Sequence, residues 1–132
     1  RQLFTLIRAT PMRILNLLLA LAMLGFAAVQ YNDPDGPLWA VYYLVPTGWA
    51  LLAAFRPDVL RSTTGSRLLW ASVAVWLGLV IFYWPQMPNF WQREVFMAEE
   101  TAREGMGLMI AWVTLLVARF SARQTQRSES AA

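Results

Sequence analysis

Residues 14–55 read ILNLLLALAMLGFAAVQYNDPDGPLWAVYYLVPTGWALLAAF, and this stretch decides the fold. Two uncharged apolar runs, 14–29 and 38–55, flank a loop whose only charges are Asp33 and Asp35. A helix rising 1.5 Å per residue needs about 20 residues to cross the hydrocarbon of a bilayer, and each run approaches that length once its flanks are counted. Neither run leaves the polar stripe of a soluble amphipathic helix. Two more uncharged runs follow, 68–84 and 105–118. The last is short, but residues 96–104 can carry its helix into the headgroup layer, and Arg119 can snorkel at the far end. The predicted spans are therefore about 12–30, 38–55, 68–84 and 100–119.

Composition agrees. Of 132 residues, 58% are hydrophobic and 14% charged, well below the roughly 25% charged of an average soluble domain. A soluble domain of this size could not hide so much apolar surface, so the excess faces lipid, other helices or partner subunits. There is no cysteine and no histidine, which excludes disulfides, thiolate and zinc sites, and histidine-based catalysis. All eleven basic residues are arginine, a bias expected of a high-GC bacterial genome and hence of a bacterial inner (cytoplasmic) membrane. The net charge of +3 does not point to nucleic acid, because the arginines flank the apolar runs. No small-x-small cleavage site follows the first run near Gln30, so that run is expected to be a retained helix rather than a signal peptide.

Arginine placement predicts orientation. Arg1, Arg8, Arg13, Arg56, Arg61, Arg67, Arg119, Arg123 and Arg127 lie in the N-terminal segment, the second connection and the tail, with only Asp58 and Glu129 beside them. The first and third connections hold Arg93 and Arg103 against six acids. By the positive-inside rule both termini are cytoplasmic. The expected fold class is all-α, an integral membrane antiparallel four-helix bundle with N and C termini inside. Residues 1–13 read as a basic segment on the inner surface, broken from the first span by Pro11. Residues 14–120 form the transmembrane domain, and 121–132 read as a mobile cytoplasmic tail. Residues 56–67, with Pro57, Ser62, Thr63, Thr64 and Gly65, read as a polar turn.

Candidate chemistry gathers at the outer end. The first connection carries Asn32, Asp33, Pro34 and Asp35; the fourth helix opens with Glu99, Glu100, Arg103, Glu104, Gly105 and Gly107. Helical spacing puts Glu100, Arg103, Glu104 and Gly107 on one face and lets Glu99 pair with Arg103. The Asn-Asp-Pro-Asp loop, the aromatic-rich second helix and the Glu–Arg–Glu–Gly stretch resemble the transmembrane protein 220 family, from about residue 15 to 118. The resemblance implies a small four-helix membrane protein of uncharacterised function, marks Asn32, Asp33, Pro34, Asp35, Glu100, Arg103, Glu104 and Gly105 as family-like, and supplies no catalytic role.

Three readings of the acidic cluster stand side by side. In the first, Asp33 or Asp35 caps the second helix, Glu99 and Glu100 suit a helix N-terminus, and Arg103 bridges Glu99 to the facing loop. In the second, Asp33, Asp35, Glu100 and Glu104 form a hard oxygen set for calcium or magnesium. The third is acid–base catalysis by a carboxylate pair; no nucleophile elbow, phosphate loop or hydrolase signature supports it. Asn16, Thr47, Ser72 and Thr114 are the polar groups at membrane depth and are expected to bond between helices or to their own backbone. Tyr31, Trp39, Tyr42, Tyr43, Tyr83, Trp84, Phe90 and Trp91 read as an outer aromatic belt, with residues 85–91 lying along the surface. Pro46 should free a carbonyl near Tyr42, and Gly107 with Ala111 offers a small-residue face for close packing.

The function expected from these features is a non-catalytic accessory or assembly subunit of a larger inner-membrane complex, respiratory or photosynthetic. The alternative is an outward-facing binding protein for a divalent cation or small polar ligand. The expected partners are the lipid bilayer and other membrane subunits.

Overall fold

Six helices account for most of the described residues, with no strand among them: α1 (Gln2–Ala28), α2 (Gly36–Phe55), α3 (Pro57–Arg61), α4 (Thr63–Tyr83), α5 (Arg93–Ala98) and α6 (Glu100–Ala131). The computed structural model describes residues 2–131 apart from 32, 85–88, 90 and 99, and for 2–10, 96, 100–101 and 125–131 it describes the backbone. Four helices are long and apolar enough to cross a membrane: Pro11–Ala28, Gly36–Phe55, Thr63–Tyr83 and Ala102–Gln124. Large apolar side chains cover their outer surface, including Leu21 at 66% exposure and Ile81 at 63%. Such an exterior suits lipid and would be costly in water.

The ends of the helices follow local chemistry. Pro37 lies in the first turn of α2, where its missing N–H costs nothing. Ser62 caps α4 by accepting from the Gly65 N–H at 3.0 Å. Residues read as a polar turn thus supply a short helix and the start of a span, because the cap signal lies ahead of the apolar run. One expectation is corrected: Pro11 does not break the chain, and α1 runs through it. A proline inside a helix removes one hydrogen bond, here to the carbonyl four residues earlier, and that loss is tolerable toward a helix end. Likewise α6 continues to Ala131 rather than stopping near Arg119.

Helix α6 is the centre of the bundle. It packs against α1, α2 and α4, and 50% of its span is buried, against 17% of the α1 span. Leu108, Ala111, Leu115, Ala118 and Ala122 form its fully buried stripe. Side-chain bonds fix which helix ends lie together. Arg13 Nε donates to the Ala54 carbonyl at 3.0 Å, joining the start of the Pro11–Ala28 span to the end of α2. Asn16 Nδ2 donates to Ser121 Oγ at 2.7 Å, joining the same part of α1 to the end of the Ala102–Gln124 span.

The intramembrane polar groups behave as anticipated. Thr47 donates to the Tyr43 carbonyl, Ser72 to Leu68 and Thr114 to Ile110, each within one turn. The carbonyl freed by Pro46 is that of Tyr42, four residues earlier, and the Trp76 indole of α4 donates to it at 3.0 Å. Two further indoles link helices: Trp49 Nε1 donates to Ser72 Oγ at 3.1 Å, and Trp112 Nε1 to the Val73 carbonyl at 3.2 Å.

Replacing Trp76 by Phe keeps an aromatic ring and deletes the donor, so the Tyr42 carbonyl stays buried and unpaired. A loss of about 1–3 kcal/mol is expected in unfolding of the detergent-solubilised chain. In a Pro46→Ala background residue 46 regains an N–H for that carbonyl, and the cost of Trp76→Phe should shrink. Equal costs in both backgrounds would mean that the indole contributes packing alone.

Candidate functional site

The connection between α1 and α2 is a tight hydrogen-bonded turn. The Asp33 N–H donates to the Gln30 carbonyl at 3.1 Å, and the Gly36 N–H to the Asp33 carbonyl at 3.0 Å. A Cβ on Gly36 would collide with the Gln30 carbonyl oxygen, so the chain can only close this way with glycine there. The closure turns the two aspartates apart. Asp35 occupies the N-cap position of α2 but makes no side-chain cap bond; its Oδ2 accepts from Trp39 Nε1 at 3.0 Å. Asp33 is half-buried and lines a cavity.

That cavity has a volume of about 410 Å³ and lies between the α1–α2 connection and the first turns of α6. Asp33 and Gln30 line it from one side, Arg103, Glu104 and Gly107 from the other, and Tyr43 from α2. Its apolar walls are Phe26, Val29, Met106 and Ile110. Glu104 is half-buried; Arg103 is exposed and donates from Nη1 to the Met97 carbonyl at 2.9 Å. Gln30 is 9% exposed, and its Oε1 is buried without a hydrogen-bond partner. Tyr43 is 2% exposed, packed edge-on to Phe26 at 5.5 Å between ring centroids. A Cβ on Gly107 would come within 3.0 Å of Tyr43 Cζ and 3.1 Å of its Cε1, and closer still to the hydroxyl.

The sequence-predicted residues are therefore divided. The structure brings Asp33, Arg103 and Glu104 to one cavity, turns Asp35 to Trp39, and buries Gly105 in α6. Pro34 is exposed in the turn. Asn32, Glu99 and the side chain of Glu100 lie outside the described residues, and with them the pairing of Glu99 with Arg103. Among the described residues no three acidic side chains gather where they could hold a metal ion.

Gln30 joins the site without a motif to mark it, and four of the aromatics expected in the outer belt are packed against one another rather than standing exposed. Trp39 and Tyr43 are core residues, Tyr42 and Tyr83 are half-buried, and all four pack together; Trp39 lies 5.1 Å from Tyr42 and 5.2 Å from Tyr83 between centroids. Of the predicted belt, Tyr31, Trp84 and Trp91 are the exposed members, and Phe90 lies outside the described residues. The overlooked signal for Gln30 was an amide at the very end of an apolar run.

Four helices long and apolar enough to cross a membrane define a multi-pass membrane protein. The model of transmembrane family 220 matches residues 22–120, and the chain belongs to that family. It is similar to Transmembrane protein 220 of Xenopus laevis, 33% identical over 107 residues, covering 75% of this chain and 55% of the frog protein. The chain thus spans about half the length of that relative. No solved structure matches.

Gly107→Ala should lower thermal stability by about 1–3 kcal/mol, as overpacking a close helix crossing does. Tyr43→Phe removes the atom nearest the new methyl, so the double variant should regain part of the loss, read as the difference in midpoint between single and double variants.

Proposed function

We propose that the chain is a non-catalytic membrane binding protein, and that its working part is the cavity between the α1–α2 connection and α6. The carrying observation is the convergence of the buried Gln30 side chain, whose Oε1 has no hydrogen-bond partner, with Asp33, Glu104 and Tyr43 on one apolar-walled space. Pockets of several hundred Å³ with few polar groups on apolar walls are the usual form of small-ligand sites. Native mass spectrometry of the chain extracted in mild detergent should show a retained small molecule. Met106→Trp, which fills the cavity from its wall, should lose it. Equal retention in both would place binding elsewhere.

In this reading helices consecutive in the four-span bundle run antiparallel, both termini face the cytoplasm and the cavity faces outward. Support comes from the nine-to-two division of arginines and from the bonds joining the start of the first span to the ends of the second and fourth. The chain has no cysteine, so single cysteines at Thr63 and Asn89 can be labelled cleanly. They should react from opposite sides; labelling of both from outside would sink the orientation. Assignment to a bacterial cytoplasmic membrane is supported by the arginine-only basic set. The similar protein is from an amphibian, so family membership itself lends this assignment no support.

A second reading, an accessory subunit of a larger membrane complex, is favoured by one observation. Tyr31, Trp91 and Met97 are 83%, 68% and 67% exposed and lie beyond the four spans, where hydrocarbon does not cover them. Purification from native membranes in mild detergent should then yield a defined complex, and a chain that elutes alone would remove this reading.

A further inference from the structure

We infer that the cavity takes a zwitterion, a primary ammonium beside an anionic group, carried on an apolar chain. This deepens the binding reading proposed above and rests on it. The polar lining sets the Asp33 and Glu104 carboxylates beside Gln30 Oε1, a buried acceptor with no donor of its own. A buried acceptor without a partner is uncommon and calls for an N–H or O–H. A primary ammonium supplies three N–H donors and a positive charge, so one group can answer Gln30 and both carboxylates. Arg103, on the same rim, offers a guanidinium to a neighbouring phosphate or carboxylate.

Other classes fit less well. A simple anion would meet two carboxylates against one guanidinium. A bare divalent ion would need six to eight oxygens, and most of this wall is carbon. A quaternary ammonium has no N–H to give Gln30. The apolar part of the ligand follows from Phe26 and Ile110 in the wall, and from Val29, which is 68% exposed at the edge of the first span. A chain leaving the cavity past Val29 enters lipid. An aminophospholipid has this chemistry, and so does a soluble phosphoethanolamine without its tail.

The full chain in detergent would be melted with increasing lysophosphatidylethanolamine, lysophosphatidylcholine, lysophosphatidylglycerol or soluble phosphoethanolamine. A ligand of the folded state raises the midpoint in a saturable, concentration-dependent way. The ethanolamine lysolipid should do so at concentrations about tenfold below the choline lysolipid, the scale of one charge-assisted hydrogen bond. The glycerol lysolipid should give no saturable shift. Phosphoethanolamine matching the lysolipid identifies a soluble source for the same chemistry; a shift from the lysolipid alone identifies a membrane lipid.

Asp33→Asn and Glu104→Gln should each weaken the shift about tenfold. Gln30→Leu should raise the midpoint without ligand while weakening the response, opposite signs that a purely structural amide would not give. If all three lysolipids stabilise equally, unaffected by Asp33→Asn but abolished by Met106→Trp, the zwitterion is overturned and the cavity stands as a binding site. If none stabilises and Gln30→Leu leaves the midpoint unchanged, the zwitterion falls; the binding reading falls with it only if native mass spectrometry also shows no retained small molecule.

Discussion

The bundle depends on the bond from the Trp76 indole to the Tyr42 carbonyl. In hydrocarbon a backbone polar group cannot turn to water, so each must be satisfied within the protein. Pro46 removes an N–H from the middle of α2, in a segment that carries the aromatic cluster. The gap is filled from α4, and this ties α2 to α4 where their backbones do not approach closely. Trp49 and Ser72 reinforce the same seam from the opposite direction. Indoles do here what small-residue contacts do around α6: they hold neighbours at a set distance, and they do so with a directional bond.

With α2 held in this way, Tyr43 is presented to α6 and the cavity acquires its wall. Seven residues separate Gly36 from Tyr43, so the phenol sits about 10 Å below the turn at 1.5 Å per residue. The polar rim of Asp33, Arg103 and Glu104 and the buried Tyr43 thus bracket a space that is wet at its mouth and apolar at depth. Charges at the opposite end of the molecule do not share this setting. Arg56 and Asp58 pair at 3.2 Å in full solvent; the hydrogen bond from Arg56 holds the Asp58 carboxyl below its usual range, yet water and salt screen the pair.

Much of the fold was legible because its signals are local. Uncharged runs located the four apolar helices, but α4 starts at Thr63, ahead of its apolar run, and the fourth apolar segment runs on to Gln124. The carbonyl freed by Pro46 followed from covalent geometry, while the medium required only that some group within the protein, Thr47 or a neighbouring helix, satisfy it. Which residue would supply the donor was not legible, since Trp76 is thirty-four positions away and only packing brings it there. The site was legible in part for the same reason. Asp33, Arg103 and Glu104 announce themselves by charge in an apolar sequence. Asp35 looks equivalent to Asp33, but the Gly36 closure and the Trp39 indole send it elsewhere, and no spacing rule reports that. Gln30 is visible as a site residue only once its amide oxygen is seen to lack a donor.

The packing of α2 on α6 and the volume of the cavity are one variable. Gly107 lets the Tyr43 ring approach the α6 backbone, and the same ring is a wall of the cavity. Any side chain larger than hydrogen at residue 107 would push the ring away and change both. A bound group resting on Tyr43 acts on the same ring from the other face, and so on the contact that seats α2 against the central helix. Since α6 also carries Arg103 and Glu104 at its start and bonds α1 through Ser121 near its end, one rigid helix links the cavity to the opposite face of the bundle. In the binding reading proposed above, a group resting on Tyr43 bears directly on the α2–α6 packing that Gly107 permits.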